Sequence, residues 1–281
     1  MLNLSSVGSK TEPRTFSYDW KDLALYALGI GATTQELDYV YEARGPRVLP
    51  TFAVVPAMEH LFACLGLADV PIASVVHGAQ RVLAHQQAPS KATVTTTAEV
   101  TAIYDLKRFA QVVVSTDTRL PSGEPLWDTE WSVIVRGAGG FGGAPPPRSD
   151  EGAIPQTPAT WSHEQITHAE QALLYRLSGD TNPLHIDPEA ARAVGFERGP
   201  ILHGLATFGF AARAIIATAC AGDASRLREI RGQFRKPVWP GDTLVTQVWQ
   251  GEPGTLAYQV RVKERDEIVL SNAWARVRVD E

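Results

Sequence analysis

The chain has 281 residues, 44% of them apolar and 20% charged, with a net charge of −5 and two cysteines. That composition belongs to a globular protein of one large domain or two ordinary ones. The charge gives no electrostatic case for nucleic acid or an anionic membrane surface as a partner. Cys64 and Cys220 both sit in apolar stretches; they make no disulfide framework and point to a reducing, cytoplasmic setting.

The N-terminus lacks a basic region followed by an apolar run, so no signal peptide is expected. In the first half, residues 18–28 read as a helix, and residues 56–67 as a second, apolar one with Pro56 at its start, where a missing N–H is harmless. Strand-like runs rich in Val, Thr and Trp follow at 91–103, 109–118 and 126–135. Gly137-Ala-Gly-Gly-Phe-Gly-Gly-Ala-Pro-Pro-Pro-Arg148, continued by a polar stretch to about Thr160, is loop or linker. It lacks the Lys-Ser/Thr of a P-loop.

In the second half, Ser162-His-Glu-Gln165 is a capping-box pattern, which predicts a helix to about residue 177. Asp187-Pro188 predicts a short helix by cap and N1 proline. Residues 201–221 form an apolar run that could be mistaken for a membrane span. Arg213 in its middle makes a buried helix the better reading. Strands are predicted at 228–234, 243–249, 256–262 and 268–279, and the chain ends Val279-Asp280-Glu281, which is not a peroxisomal address. Each half thus gives helices and then long alternating strands. We expect an α+β protein with a tandem (double) hotdog fold, antiparallel sheets wrapping central helices. Its parts are an N-terminal hotdog over 1–136, a linker over 137–160 and a C-terminal hotdog over 161–281. Periodicity alone also admits a generic two-domain α+β protein.

The densest chemistry lies in Asp180-Thr-Asn182-Pro-Leu-His185. Gly179 loosens the backbone before the carboxylate and Pro183 stiffens it before the ring. Such a loop can aim a carboxylate, an amide and an imidazole at one water, the base and acid that adding or removing water requires. The bland alternative is an Asx-turn with a loop histidine.

Tyr175-Arg-Leu-Ser-Gly-Asp-Thr-Asn-Pro-Leu-His-Ile-Asp187 resembles the signature of the MaoC-like, (R)-specific 2-enoyl-CoA hydratases, hydratase 2. The stretches 195–210 and 233–241 fit the same family. Leu25-Tyr-Ala-Leu-Gly-Ile-Gly31, Leu49-Pro-Thr-Phe-Ala-Val-Val-Pro56, His77-Gly78 and Gly139-Gly-Phe-Gly-Gly143 resemble its long form, the hydratase region of peroxisomal multifunctional enzyme type 2. The likeness spans roughly residues 15–280, and blocks in order over that length are more specific than one motif.

The resemblance implies reversible addition of water to trans-2-enoyl-CoA thioesters, giving (3R)-hydroxyacyl thioesters. Asp180 would activate the water and His185 donate to C2, although a shared water network can exchange these parts. Asn182 would orient the water. Gly204, opening the apolar helix, would offer its backbone N–H to the enolate oxygen. His77, Gly78 and Phe234 match positions that contact acyl-CoA, and Lys107 or Arg108 matches a lysine that meets the CoA. On the residues alone, His77 reads equally as structural, Phe234 as core, and Lys107 as a solvated turn charge.

The histidines show no metal-ligand spacing and no Rossmann fingerprint exists, so no metal and no cofactor is expected beyond the CoA thioester as substrate. The resemblance also implies a homodimer, and a first half without catalytic residues that accepts a long or bulky acyl tail. There the helix over 56–67 would be shortened or displaced. A hotdog thioesterase and a non-catalytic acyl-thioester binding module are the competing readings. Against the first, residues 205–221 carry no carboxylate; against the second, the Asp/Asn/His set is complete.

Overall fold

One continuous antiparallel sheet of ten strands carries both halves of the chain. In the computed structural model, which describes residues 1–147 and 151–279, the first half supplies β1 (Arg14–Tyr18), β2 (Val75–Ala84), β3 (Ala92–Asp105), β4 (Phe109–Arg119) and β5 (Pro125–Arg136). The second supplies β6 (Trp161–Ile166), β7 (Leu227–Phe234), β8 (Thr243–Gln250), β9 (Thr255–Val262) and β10 (Glu267–Val277). Their spatial order is β1-β3-β4-β5-β2-β7-β10-β9-β8-β6. Outward from the centre, each half runs second, fifth, fourth, third, first strand, so the chain repeats one topology. The halves meet where β2 pairs β7, from Ala79↔Gln233 to Leu83↔Glu229. That seam turns two exposed edges into an interior ladder. This is the expected double hotdog.

Six α-helices accompany the sheet among the described residues: α1 (Trp20–Gly29), α2 (Leu37–Val40), α3 (Val54–Leu67), α4 (Gln171–Tyr175), α5 (Pro188–Ala193) and α6 (Gly204–Thr218). α3 packs on β3, β4 and β5, and α6 on β6, β7 and β8, so each half wraps its own helix. Every residue of α6 from Leu205 to Ile216 is buried. The run Pro50–Leu67 is long and apolar enough to cross a bilayer by length and composition, and 61% of it is buried in the fold. Arg213, buried in α6, pairs with Glu36 of the first half and donates to the Ile30 carbonyl at 2.9 Å. A buried charge needs such partners, and these tie α6 to the loop after α1.

Several expectations need correction. Residues 162–166 are strand, not helix: Trp161–Ile166 pairs with β8 as an edge strand with alternating exposure, and the helix here is only Gln171–Tyr175. Pairing along a free sheet edge outweighs a local capping pattern. The first helix begins at Trp20 because Asp19 forms the capping box, its carboxylate accepting from Lys21 N–H at 2.8 Å; residues 14–18 before it are edge strand β1. Strand β2 was not expected at all. α3 is not shortened, at 14 residues against 15 in α6, but it packs on the third to fifth strands of its half where α6 packs on the first to third of its own. Within the linker segment, Arg148, Ser149 and Asp150 lie outside the described residues, as do Asp280 and Glu281 at the chain end. Part of the rest is docked. Gly140 and Gly142 donate to the two carboxylate oxygens of Asp105 at 2.9 and 2.7 Å, folding the glycines over the β3–β4 turn.

Candidate active site

The loop between α4 and α5 is shaped by its own polar side chains. After the 3₁₀ turn Arg176–Ser178, Gly179 takes φ +124°, a conformation that favours glycine. Asp180 follows, and its carboxylate accepts from Asn182 N–H at 3.2 Å. The Asn182 carbonyl oxygen accepts from Leu184 N–H at 3.1 Å and caps the 3₁₀ turn Pro183–His185. The Asx-turn reading of this loop is therefore correct as local structure, and the amide NH₂ of Asn182 is what remains for a water.

The turn delivers His185 to a buried position, where its Nδ1 lies 2.8 Å from the Ile201 carbonyl oxygen. A carbonyl can only accept, so Nδ1 carries the proton and Nε2 presents a lone pair. Burial lowers the pKa of His185, opposed by the Asp180 carboxylate, so the ring is neutral at pH 7.

A third group, not singled out in the sequence, completes the cluster. His203 is fully buried and stacks on His185 with ring centroids 3.7 Å apart and planes 28° apart. Tyr175 packs against it at 4.9 Å. Its Nε2–H donates to the Asp180 carbonyl oxygen at 3.1 Å, while its Nδ1 has no hydrogen-bond partner among the described residues. Burial, and then the neighbouring His185, push its pKa down to about 2. Only its place beside Gly204 hinted at this role, since 18 residues separate it from His185. Donor atoms of Asp180, His185 and His203 lie within 4.8 Å of one another. As a metal centre the arrangement fits poorly. Nitrogen lone pairs lie in the ring planes, and two face-stacked imidazoles cannot both aim at one ion about 2 Å from each.

His203 is also the residue before α6. Gly204 opens that helix, where the first N–H groups have no intrahelical acceptor and the dipole favours negative charge. A Cβ on Gly204 would meet the Phe234 ring at 3.3 Å. Phe234 ends β7, its ring 4.8 Å from that of His77, which stacks on Trp131 at 5.3 Å. His77 donates Nε2–H to the Ala79 carbonyl across a β-bulge, and burial lowers its pKa to about 4. Gly78 is glycine because a Cβ would press within 2.9 Å of Ile134. The seam therefore brings His77, Gly78 and Phe234 to the mouth of α6, beside the Asp180–His185 pair. Lys107 stands apart, exposed on the β3–β4 turn at φ +67°, its N–H donating to Asp105. That turn lies beyond Phe109 of β4, toward the same sheet end as His77 and two strands across from β2.

A cavity of about 540 Å³ opens beside this loop. Its walls come from β1 (Phe16), α1 (Leu25), Phe52, α3 (Val55, Met58, Phe62) and the segment Leu177 to Thr181 that flanks Asp180. Space for a ligand tail thus lies in the first half even though α3 is complete.

Comparison with known proteins agrees with this fold. Residues 16–137 match the MFE-2 hydratase 2 N-terminal domain and residues 150–273 the MaoC like domain. The chain is 40% identical to the peroxisomal enoyl-CoA hydratase 2 of Arabidopsis thaliana, over 91% of this chain and 89% of that one. It is 37% identical to 3-hydroxyacyl-thioester dehydratase Y of Mycobacterium tuberculosis, over 100% and 97%. With the peroxisomal multifunctional enzyme type 2 of Mus musculus it shares 38% identity over 96% of this chain, which spans only 38% of that longer protein. The crystal structure of a MaoC-like dehydratase from Phytophthora capsici superposes with a TM-score of 0.89 at 30% identity, covering 99% of this chain and 98% of that one. The chain belongs to the MaoC-like hydratase 2 family, in its long form with an N-terminal hydratase 2 domain.

Proposed function

We infer that the protein is an enoyl-CoA hydratase 2 and 3-hydroxyacyl-CoA dehydratase, adding water reversibly across the C2=C3 bond of trans-2-enoyl-CoA thioesters. The observation that carries this reading is one carboxylate and one imidazole lone pair on a single loop, set beside the open N-terminus of α6. No carboxylate lies on α6, where a thioesterase reading would want one.

We assign the steps as follows. One water gives its two hydrogens to Asp180 and to Nε2 of His185, with the Asn182 NH₂ donating to its oxygen. As that oxygen bonds C3, one proton passes to the Asp180–His185 pair and charge moves to the thioester oxygen. Gly204 N–H and the α6 dipole meet that charge. The pair then returns a proton to C2, so the elements of one water are added and nothing else is consumed. The neutral tautomer refines the sequence expectation: His185 takes a proton before it can donate one.

We further propose (3R) product, one active site per chain, the acyl tail in the first-half cavity, and CoA near Lys107. A homodimer and a cytoplasmic setting belong to the same proposal; the buried free thiols Cys64 and Cys220 fit a reducing compartment. The test is loss of enone absorbance on adding a panel of trans-2-enoyl-CoAs, with chiral analysis of product. Free CoA released without hydroxyacyl product, or (3S) product, would overturn the reading.

A further inference from the structure

Ser178 and His60, both in the cavity wall, each hold a polar atom that no described residue partners, Oγ in the first and Nε2 in the second. His60, on α3, lines the cavity and is only 2% exposed. Its Nδ1 lies 2.8 Å from the Thr11 hydroxyl oxygen. That oxygen already accepts from Ala98 N–H at 3.0 Å, and no other acceptor stands near it among the described residues. The Thr11 hydroxyl can donate to Nδ1 or accept from it, so Nε2 can present either a proton or a lone pair. No described residue accepts from Nε2, and the atom is not among the polar atoms sealed inside the protein.

The other charged groups of the wall are committed. Arg14 and Glu59 hold each other in an ion pair, and the Asp22 carboxylate caps α1 through Asp19 N–H at 2.9 Å. Phe16, Val55, Met58 and Phe62 make an apolar stretch of the wall, and Thr15, Ser178 and Thr181 add hydroxyls to it. Nε2 is thus a hydrogen-bonding atom open to the cavity beside an apolar stretch of its wall.

We propose that His60 is a specificity residue for acyl chains that carry oxygen on the tail, a hydroxyl or carbonyl group beyond C3, with which Nε2 forms a hydrogen bond. This rests on the reading above that the cavity holds the acyl tail. It predicts a substrate class, oxygenated medium or long acyl-CoA thioesters, that an all-apolar chamber would disfavour.

The test compares wild type with His60→Phe on crotonyl-CoA, plain C8–C12 enoyl-CoAs, and matched chains bearing a hydroxyl or oxo group at successive tail positions. In wild type, the best-placed oxygenated chain should exceed its plain parent in kcat/KM by about three- to tenfold, the range of one neutral hydrogen bond. In His60→Phe that ratio should fall to one or invert. Should the phenylalanine variant fail to fold, His60→Gln, with an amide N–H near the place of Nε2, should keep part of the preference. Wild type that does not separate any oxygenated chain from its parent overturns the proposal, as does a ratio unmoved by the substitution. Crotonyl-CoA carries no tail oxygen for His60 to meet. Its hydration by wild type upholds the hydratase reading whichever way the ratio falls, and failure to hydrate any enoyl-CoA sinks that reading instead.

Discussion

His203 stacks on His185 at 3.7 Å while donating its Nε2–H to the backbone carbonyl of Asp180. One buried, uncharged ring thus touches both members of the candidate acid–base pair. Were it protonated, its charge would sit against the ring that must accept a proton. Burial keeps it neutral, and its hydrogen bond fixes the loop from which the carboxylate projects.

Removing either member of the pair should abolish most activity without unfolding the protein. Asp180→Asn and His185→Ala should each cost about a hundred- to ten-thousand-fold in kcat. The double variant should be no worse than the weaker single, because groups acting as a unit are non-additive. With Nδ1–H held by Ile201 and the pKa lowered by burial, the acid limb of kcat should fall below pH 6.5. A loss under tenfold in Asp180→Asn, with unchanged thermal stability, would reduce that carboxylate to a turn residue.

His203 should behave as a positioning residue. His203→Gln keeps an N–H near Nε2 and should retain activity within about tenfold, whereas His203→Leu frees the Asp180 carbonyl and should lose about a hundredfold, mostly in kcat. A purely structural role would lower Tm in both variants and leave the acid limb of kcat in place. Equal activity of the two variants would refute the positioning role.

Much of this site was legible in the sequence, and what was not has physical causes. Asp180, Asn182 and His185 stand within six residues, so a local loop announces them. Gly204 is marked by the apolar helix it opens. His203 needed the folded chain, because only packing of α6 against the loop stacks it on His185. Strand β2 escaped because its sequence does not follow its faces: polar Gln80 is buried at 1% exposure, apolar Val76 is exposed, and a bulge at Gly78 shifts the alternation. Residues 162–166 misled because Ser162 and Gln165 imitate a cap, while Trp161 and Ile166 favour a strand and β8 offers the edge. The tail cavity was expected from a shortened or displaced helix. α3 keeps its length, and the cavity lies between α1, β1 and α3 beside the catalytic loop.

Stability should fall on mild acidification. His77 is buried neutral with a pKa of about 4, and His203 with about 2, against 6.5 when unfolded. Between those values the unfolded chain binds the extra protons. Their stabilising contribution is therefore complete above pH 6.5 and is lost as pH falls toward the folded values. At pH 5 the loss is about 2 kcal/mol for each ring. Urea denaturation at pH 7.5 and 5.0 should reveal it. His77→Phe, which keeps a ring between Trp131 and Phe234, should shrink the difference by about 2 kcal/mol. A difference that does not shrink would show that His77 is not held neutral by burial.

The site should favour medium or bulky acyl chains over crotonyl-CoA, with one ligand bound per chain. Asp180, His185, His203 and Gly204 all belong to the second half, and the first half contributes the cavity of about 540 Å³. Its Phe16, Leu25, Val55, Met58 and Phe62 lining can desolvate a hydrocarbon tail that starts beside Leu177 to Thr181. Each buried methylene is worth about 0.8 kcal/mol, so four more carbons could raise kcat/KM about a hundredfold before product release intervenes. Leu25→Trp should fill part of the cavity and flatten that dependence on chain length. Titration with a tight-binding acyl-CoA analogue should saturate near one equivalent per chain. A preference for C4 over C8, or a Leu25→Trp variant with the wild-type chain-length profile, would place the acyl tail somewhere other than this cavity.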